Sequence, residues 1–318
     1  MAQDKNIKLM VFLILIQGLV ISHSSALSLS KNSPTKNLTN VADLCLVSPF
    51  SCIQHVDKAL LAAPKNSRVY FEILQYKMEA LFNLQKTDAL YQETKKWLNK
   101  PELPIPFQVT NAIYFAKSAW YIGEKKAAKN SYLLAKSLLA QMNEAYPSPL
   151  RLVQFANLQM QLDENQEAYD LMLGLAKKYP KSPDTRFMVE LHGNLGHAAN
   201  KLGYLESSLA HWQETKKWVF LFNNKQQIAV VLFNLADIHD KLSQHSEAAK
   251  YFSDAISFAV EAGDKVKANQ ARFHLLQTQL KQGAVCQQNS VFNEINNQYL
   301  PKTVKYNLTA LKAQLTSC

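Results

Sequence analysis

Bulky apolar residues, small residues and turn formers recur along this chain with a spacing of forty. One column pairs a bulky residue with its neighbour: Phe115-Ala116, Phe155-Ala156, Leu195-Gly196, Leu235-Ala236 and Leu275-Leu276. The first member is always bulky, and the second is small in all but the last pair. Seven residues on stand Gly123, Asp163, Gly203, Ser243 and Gly283, all turn formers. Five further on come Ala128, Ala168, Ser208, Ala248 and Gln288; then, four on, Tyr132, Met172, Trp212, Phe252 and Phe292; then, three on, Ala135, Leu175, Thr215, Ala255 and Ile295. Residues three and four apart share a helix face. Each unit therefore reads as a helix, a turn and a second helix. Bulky residues on one helix face small ones on the other, so the two backbones approach closely. The outer apolar faces need neighbouring hairpins to cover them. Few windows alternate as strands do, so the expected fold class is all-α.

The string QETKKW occurs at Gln92–Trp97 and again at Gln213–Trp218, three periods plus one residue apart. Thr94 then matches Thr215, Tyr91 matches Trp212 and Leu74 matches Leu195, so the first hairpin joins the array with a one-residue slip. Trp97 and Trp218 are expected to pack at the ends of second helices. A pair of helix bundles would not need a shared register across five units; a repeat array does.

The columns resemble the tetratricopeptide repeat (TPR): bulky then small on the first helix, a turn former, then small, aromatic and small on the second. AVVLFNLADIHDKLSQHSEAAKYFSDAISFAVEAGD (Ala229–Asp264) is the clearest copy, and ELHGNLGHAANKLGYLESSLAHWQETKKW (Glu190–Trp218) the next. The forty-residue unit is similar to the long form found in bacterial exported and sensory proteins. The resemblance implies a right-handed superhelical solenoid of antiparallel helix pairs. Its concave groove would take a protein or extended peptide. The subclass that clamps acidic chaperone tails is not matched. Asn157 and Asn194 fall on its asparagine places, but Val153, Val230 and Asn234 occupy its basic ones.

At the start of the chain, Lys5 and Lys8 precede an apolar run from Leu9 to Ile21, followed by the small residues Ser24-Ser25-Ala26. This is the plan of a secretory signal peptide over residues 1–26. The run is about 13 residues, short of the roughly 20 a spanning helix needs. No later segment is apolar enough to span, and the family resemblance favours a bacterial periplasm. Residues 27–43 read as a disordered lead-in, 44–67 as an N-terminal capping helical segment, 68–298 as an array of about six helix pairs, and 299–318 as a C-terminal capping helix.

Export makes disulfides the default for four cysteines. Cys45 and Cys52 would lie about 10.5 Å apart along a continuous helix, too far to bridge, but Pro49 offers a break. Cys286 and Cys318 flank an interruption at Pro301, and a helix over Val304–Leu315 would return the chain. That loop closure is worth ~3.7 kcal/mol. Cys45–Cys52 and Cys286–Cys318 are the expected pairs; the crossed pairing and free thiols stay open.

Composition agrees with helices: only eight glycines stand among many Ala, Leu, Lys, Gln and Glu. The formal net charge of +10 falls by one unit if residues 1–26 are removed. The charge is spread without an arginine block or an aromatic-basic motif, so nucleic acid is not an expected partner. HExxH, paired-cysteine, GxSxG, P-loop and Rossmann patterns do not occur. His239 with Asp237 and Asp240 lacks a metal-ligand pattern. No enzyme activity, cofactor or metal is expected. NLT at Asn37 and Asn307 fits glycosylation acceptors.

By register with the family, the first helices would line a groove with Lys117, Trp120, Tyr121, Asn157, Gln161, His197, Asn200, Lys201, Asp237 and Lys241, and further with Met160, Asp240, Gln277 and Lys281. Amides could bond an extended backbone, lysines could pair with carboxylates, and the aromatic pair could anchor a side chain. Two functions follow as expectations: a non-enzymatic scaffold binding a protein or peptide, or a sensory module acting on a separate membrane signalling protein.

Overall fold

The computed structural model describes residues 41–45, 48–145, 147–283, 289–300 and 308. All lie in the second of two compact units, which begins at Pro34. The signal-peptide segment, most of the lead-in, Asn37 and Asn307 of the NLT sites, the Cys286–Cys318 pairing and, apart from Leu308, the Val304–Leu315 segment fall outside the described residues. Among the described residues every regular element is helical.

The helices are α1 (Pro49–Ala62), α2 (Arg68–Asn83), α3 (Thr87–Lys95), α4 (Ile105–Tyr121), α5 (Lys125–Ala145), α6 (Pro149–Gln161) and α7 (Asn165–Lys178). They continue with α8 (Thr185–Lys201), α9 (Leu205–Phe222), α10 (Lys225–Lys241), α11 (His245–Glu261), α12 (Lys265–Lys281) and the short α13 (Asn289–Asn293), then a 3-10 turn at Asn297–Tyr299. From α2 onward they alternate as first and second helices of successive pairs.

The starts and stops are chemical. Side chains of Ser67, Asp184 and Asp264 accept bonds from the backbone N–H three residues on, opening α2, α8 and α12. All five turn-column residues, Gly123, Asp163, Gly203, Ser243 and Gly283, have positive φ. The next N–H then reaches back five residues, as Tyr204 does to Ala199 O and Gln244 to His239 O. This left-handed cap ends a helix and reverses the chain.

The repeat columns form the core. Ala116, Ala156 and Ala236 are fully buried, as are Ala128, Ala168, Ser208 and Ala248. Tyr132, Met172, Trp212 and Phe252, one turn further along the second helices, are buried as well. Ser208 keeps its place in a column of alanines because its hydroxyl donates to Gly196 O at 2.8 Å, so that buried hydroxyl is itself paired.

The two QETKKW copies make the same bonds. Thr94 donates to Leu90 O and Thr215 to His211 O, both at 2.8 Å. Lys96 pairs with Glu93 and Lys217 with Glu214, three residues apart. Each tryptophan N–H donates to that same glutamate, Trp97 to Glu93 and Trp218 to Glu214. Both indoles are half-buried. The second copy lies inside α9, whereas α3 ends at Lys95, so Trp97 stands just past its helix.

At the N-terminal end residues 41–45 are helical, which moves Val41, Ala42 and Asp43 out of the expected lead-in. The reason is burial: Val41 packs with Val56, Ala59, Ala63 and Ile73. Cys45 and Cys52 are bonded, with Cα atoms 4.4 Å apart. The segment breaks as Pro49 suggested: Ser48 caps α1 by accepting from Ser51 N–H, and Pro49 is the first helical residue. Removing the bond with Cys45→Ala and Cys52→Ala is expected to cost ~2.5 kcal/mol by chain entropy, read as a lower urea midpoint than the oxidised wild type.

Candidate functional site: the cleft of the first helices

The first helices α2, α4, α6 and α8 turn one face inward, and α9 and α10 extend the wall. Between them lies a cleft of about 770 Å³. A shallower hollow of about 550 Å³ adjoins it, sharing Phe82, Tyr121, Asn157 and His197. Seven of the ten groove residues expected from register line this hollow: Trp120, Tyr121, Asn157, Gln161, His197, Asn200 and Lys201. Lys117 lines the larger cleft. Asp237 and Lys241 line neither; they pair with each other at 2.7 Å, and Lys241 also donates to Asn200 at 3.0 Å.

Several of these side chains already have structural work. Gln161 donates to Lys117 O, and Lys201 to Met160 O, each at 2.8 Å, tying successive first helices together. Trp120 packs beside Phe115, Ala119 and Ala128, with the Lys125 ammonium 3.3 Å over its ring. Tyr121, by contrast, is 64% exposed. Asn157 donates to Asn194 Oδ1 at 2.6 Å, and Asn194 donates to Glu190 O at 2.7 Å. Asn157 lines both hollows, and Asn194 lines the larger one. His197 is exposed in the groove and edges onto the Trp212 ring at 4.7 Å. The groove walls hold its pKa below the ordinary histidine value, and Lys267, Lys201 and Lys241 add to that.

The cleft floor holds charges that the repeat register does not reveal. Arg186 on α8 pairs with Glu79 on α2, bridging the first and fourth helix pairs. Away from the residues that line the two hollows, Arg151 on α6 donates to Gln75 on α2 at 3.0 Å and to Thr110 on α4 at 3.3 Å. Burial opposes the Arg186 charge, but Glu79 and Glu190 outweigh it and hold its pKa above the ordinary value. Lys117 is 3% exposed. Its ammonium lies 4.5 Å from the Phe82 ring centre and 5.4 Å from that of Tyr114. Burial pushes its pKa down to about 8, against the pull of Glu190 and Glu79. Burial and Glu79 raise the Glu190 carboxyl, while Arg186 and Lys117 oppose the shift. These partners come from residues far apart in the chain, where no spacing rule points.

No family profile matches the chain, and no curated protein matches it. Solved structures do match in fold. A Rap protein complexed with competence and sporulation factor aligns with TM-score 0.58 at 13% identity, covering 89% of this chain and 77% of that one. NprR in complex with its cognate peptide NprX gives 0.53 at 12% identity, covering 89% and 84%. The APC/C hetero-tetramer Cut9-Hcn1 gives 0.56 at 14%, covering 92% and 57%. The fold is a TPR-like helical solenoid. At such identities the likeness reaches the TPR-like architecture and stops there.

Proposed function

We propose that this chain is an exported, non-catalytic scaffold that binds a protein or an extended peptide in the cleft of its first helices. The observation that carries the reading is the Asn157–Asn194 amide pair. Asn157 lines both hollows and Asn194 the larger one, and exposed Tyr121 lines both. An extended backbone offers donors and acceptors that such amides satisfy, and an exposed aromatic supplies a low-entropy anchor. NprR, a quorum sensor of the same fold, is seen with its cognate peptide, which supports the peptide reading by analogy of fold. Export is supported by the charged, apolar and small-residue pattern of residues 1–26 and by the Cys45–Cys52 bond; the periplasm is the compartment proposed.

The test is in-cell crosslinking of the tagged protein followed by recovery from the envelope. Wild type is compared with a Tyr121→Ala/Asn157→Ala variant of matched thermal stability. A stoichiometric partner whose recovery falls about tenfold in the variant supports the groove; equal recovery overturns it. The volume of the larger cleft falls in the range of small-ligand sites, which favours the sensory module acting on a separate membrane protein as a second reading. A partner-free protein stabilised by a small molecule would support that reading.

A further inference from the structure

The cleft floor carries two charges of opposite sign that do not pair with each other. Among the described residues Lys117 has no carboxylate within 4.0 Å, although it is buried; its ammonium rests only on aromatic faces. Glu190 has no cation within that distance either, and its side chain receives only a long 3.4 Å contact from Asn194. Arg186 and Glu79, between the same walls, satisfy one another. A buried charge without a partner is costly, and an incoming group of opposite sign removes that cost.

The sign of the ligand follows from the whole set. Lys117, Arg186, Glu79 and Glu190 balance. A ligand that brought only an anion to Lys117 would meet Glu190 and Glu79. One that brought only a cation to Glu190 would meet Lys117 and Arg186. A ligand of no net charge with separated ends meets neither penalty. We infer that the cleft selects a short peptide with both ends free, its carboxylate on Lys117 and its amino group on Glu190. The Asn157–Asn194 amides would then take the backbone between. The inference rests on the proposed peptide-binding role of this cleft and names the ligand's chemistry.

The probe is a randomised tripeptide pool with free termini, titrated into the full chain by thermal shift. It is compared with the same pool N-acetylated, C-amidated, or blocked at both ends. The free pool is expected to raise Tm, and blocking either end to weaken binding on the order of 10- to 100-fold, as a buried charge then loses its partner. Lys117→Met keeps the apolar stem against Phe82 and should abolish discrimination against the C-amide alone. Glu190→Gln is isosteric and should abolish discrimination against the N-acetyl pool alone, which keeps the test open if the first variant misfolds. A doubly blocked pool that binds as tightly as the free one overturns the inference. So does unchanged discrimination in a folded variant, or no shift with the free pool. If the pool fails while the Tyr121/Asn157 variant still loses its crosslinked partner, the groove stands and only the charge assignment falls. Failure of both removes the groove reading as well.

Discussion

Gly196→Leu is expected to destabilise the chain by about 4 kcal/mol or more, at the upper end for overpacking. Even an added Cβ at Gly196 falls 2.7 Å from Trp212 Nε1, 2.8 Å from Cε2 and 2.9 Å from Cδ1. The indole cannot swing aside. It is buried in the core of the α9–α11 region, with His197 against it. The Ser208 hydroxyl bond to Gly196 O holds the two backbones together at the same level. Gly196→Ala gains ~1 kcal/mol of helix propensity but loses ~1–3 to overpacking, so it should be mildly destabilising. Gly174, also inside a helix, meets nothing within 4 Å of an added Cβ. Gly174→Ala should therefore stabilise by ~1 kcal/mol. Urea melts of the three variants decide: a neutral Gly196→Leu, or Gly174→Ala and Gly196→Ala shifting alike, would contradict the close approach of α8 and α9.

Acid should weaken the fold well above the carboxylate range. His192 and His211 place their Nδ1 atoms 3.2 Å apart between α8 and α9. Burial pushes both pKa values down, with His192 adding to the effect on His211, which falls to about 4. Glu214 pulls the other way on both. His274, ringed by Phe233, Phe252 and Phe273, is also lowered by burial. A histidine depressed in the folded state binds its proton first in the unfolded chain. Between the unfolded value near 6.5 and the folded value, stability therefore falls as pH falls. The His192–His211 pair is partly exposed, so solvent screening softens its effect; with His274 it should make stability fall steadily as pH drops from 7 towards 4. Equilibrium unfolding across that range checks the slope. His211→Gln should flatten it between pH 6.5 and pH 5, and an unchanged slope would remove the pair from the account.

The architecture was legible because each column has a local physical cause. Five turn positions could be read as turns from Gly, Asp and Ser, and all five adopt the left-handed cap. The small column could be read as close approach, and Gly196 under Trp212 is its tightest instance. The groove was legible in part: register placed Asn157, Gln161, Asn200 and Lys201 on one wall, since first-helix spacing determines the face. It could not separate Gln161 and Lys201, which bond the backbone of the preceding first helix, from Tyr121, which faces solvent. Asp237 and Lys241 share that register but lie beyond both hollows, because neighbouring units are rotated relative to one another. Glu79, Arg186 and Glu190 escaped altogether. Their meeting depends on how far the stack winds, a sum of small rotations that no single unit encodes.

That winding has a mechanical consequence. A solenoid whose units touch only their neighbours yields like a spring, each joint giving a little under load. Here the Arg186–Glu79 and Arg151–Gln75 bridges join units that are not neighbours. The first four helix pairs are thereby latched, and pulling them apart means breaking several contacts at once rather than one joint at a time. The two pairs beyond, α10 to α13, have no such latch among the described residues. Under tension the chain should extend from that end first, with the four latched pairs giving way in a single later step.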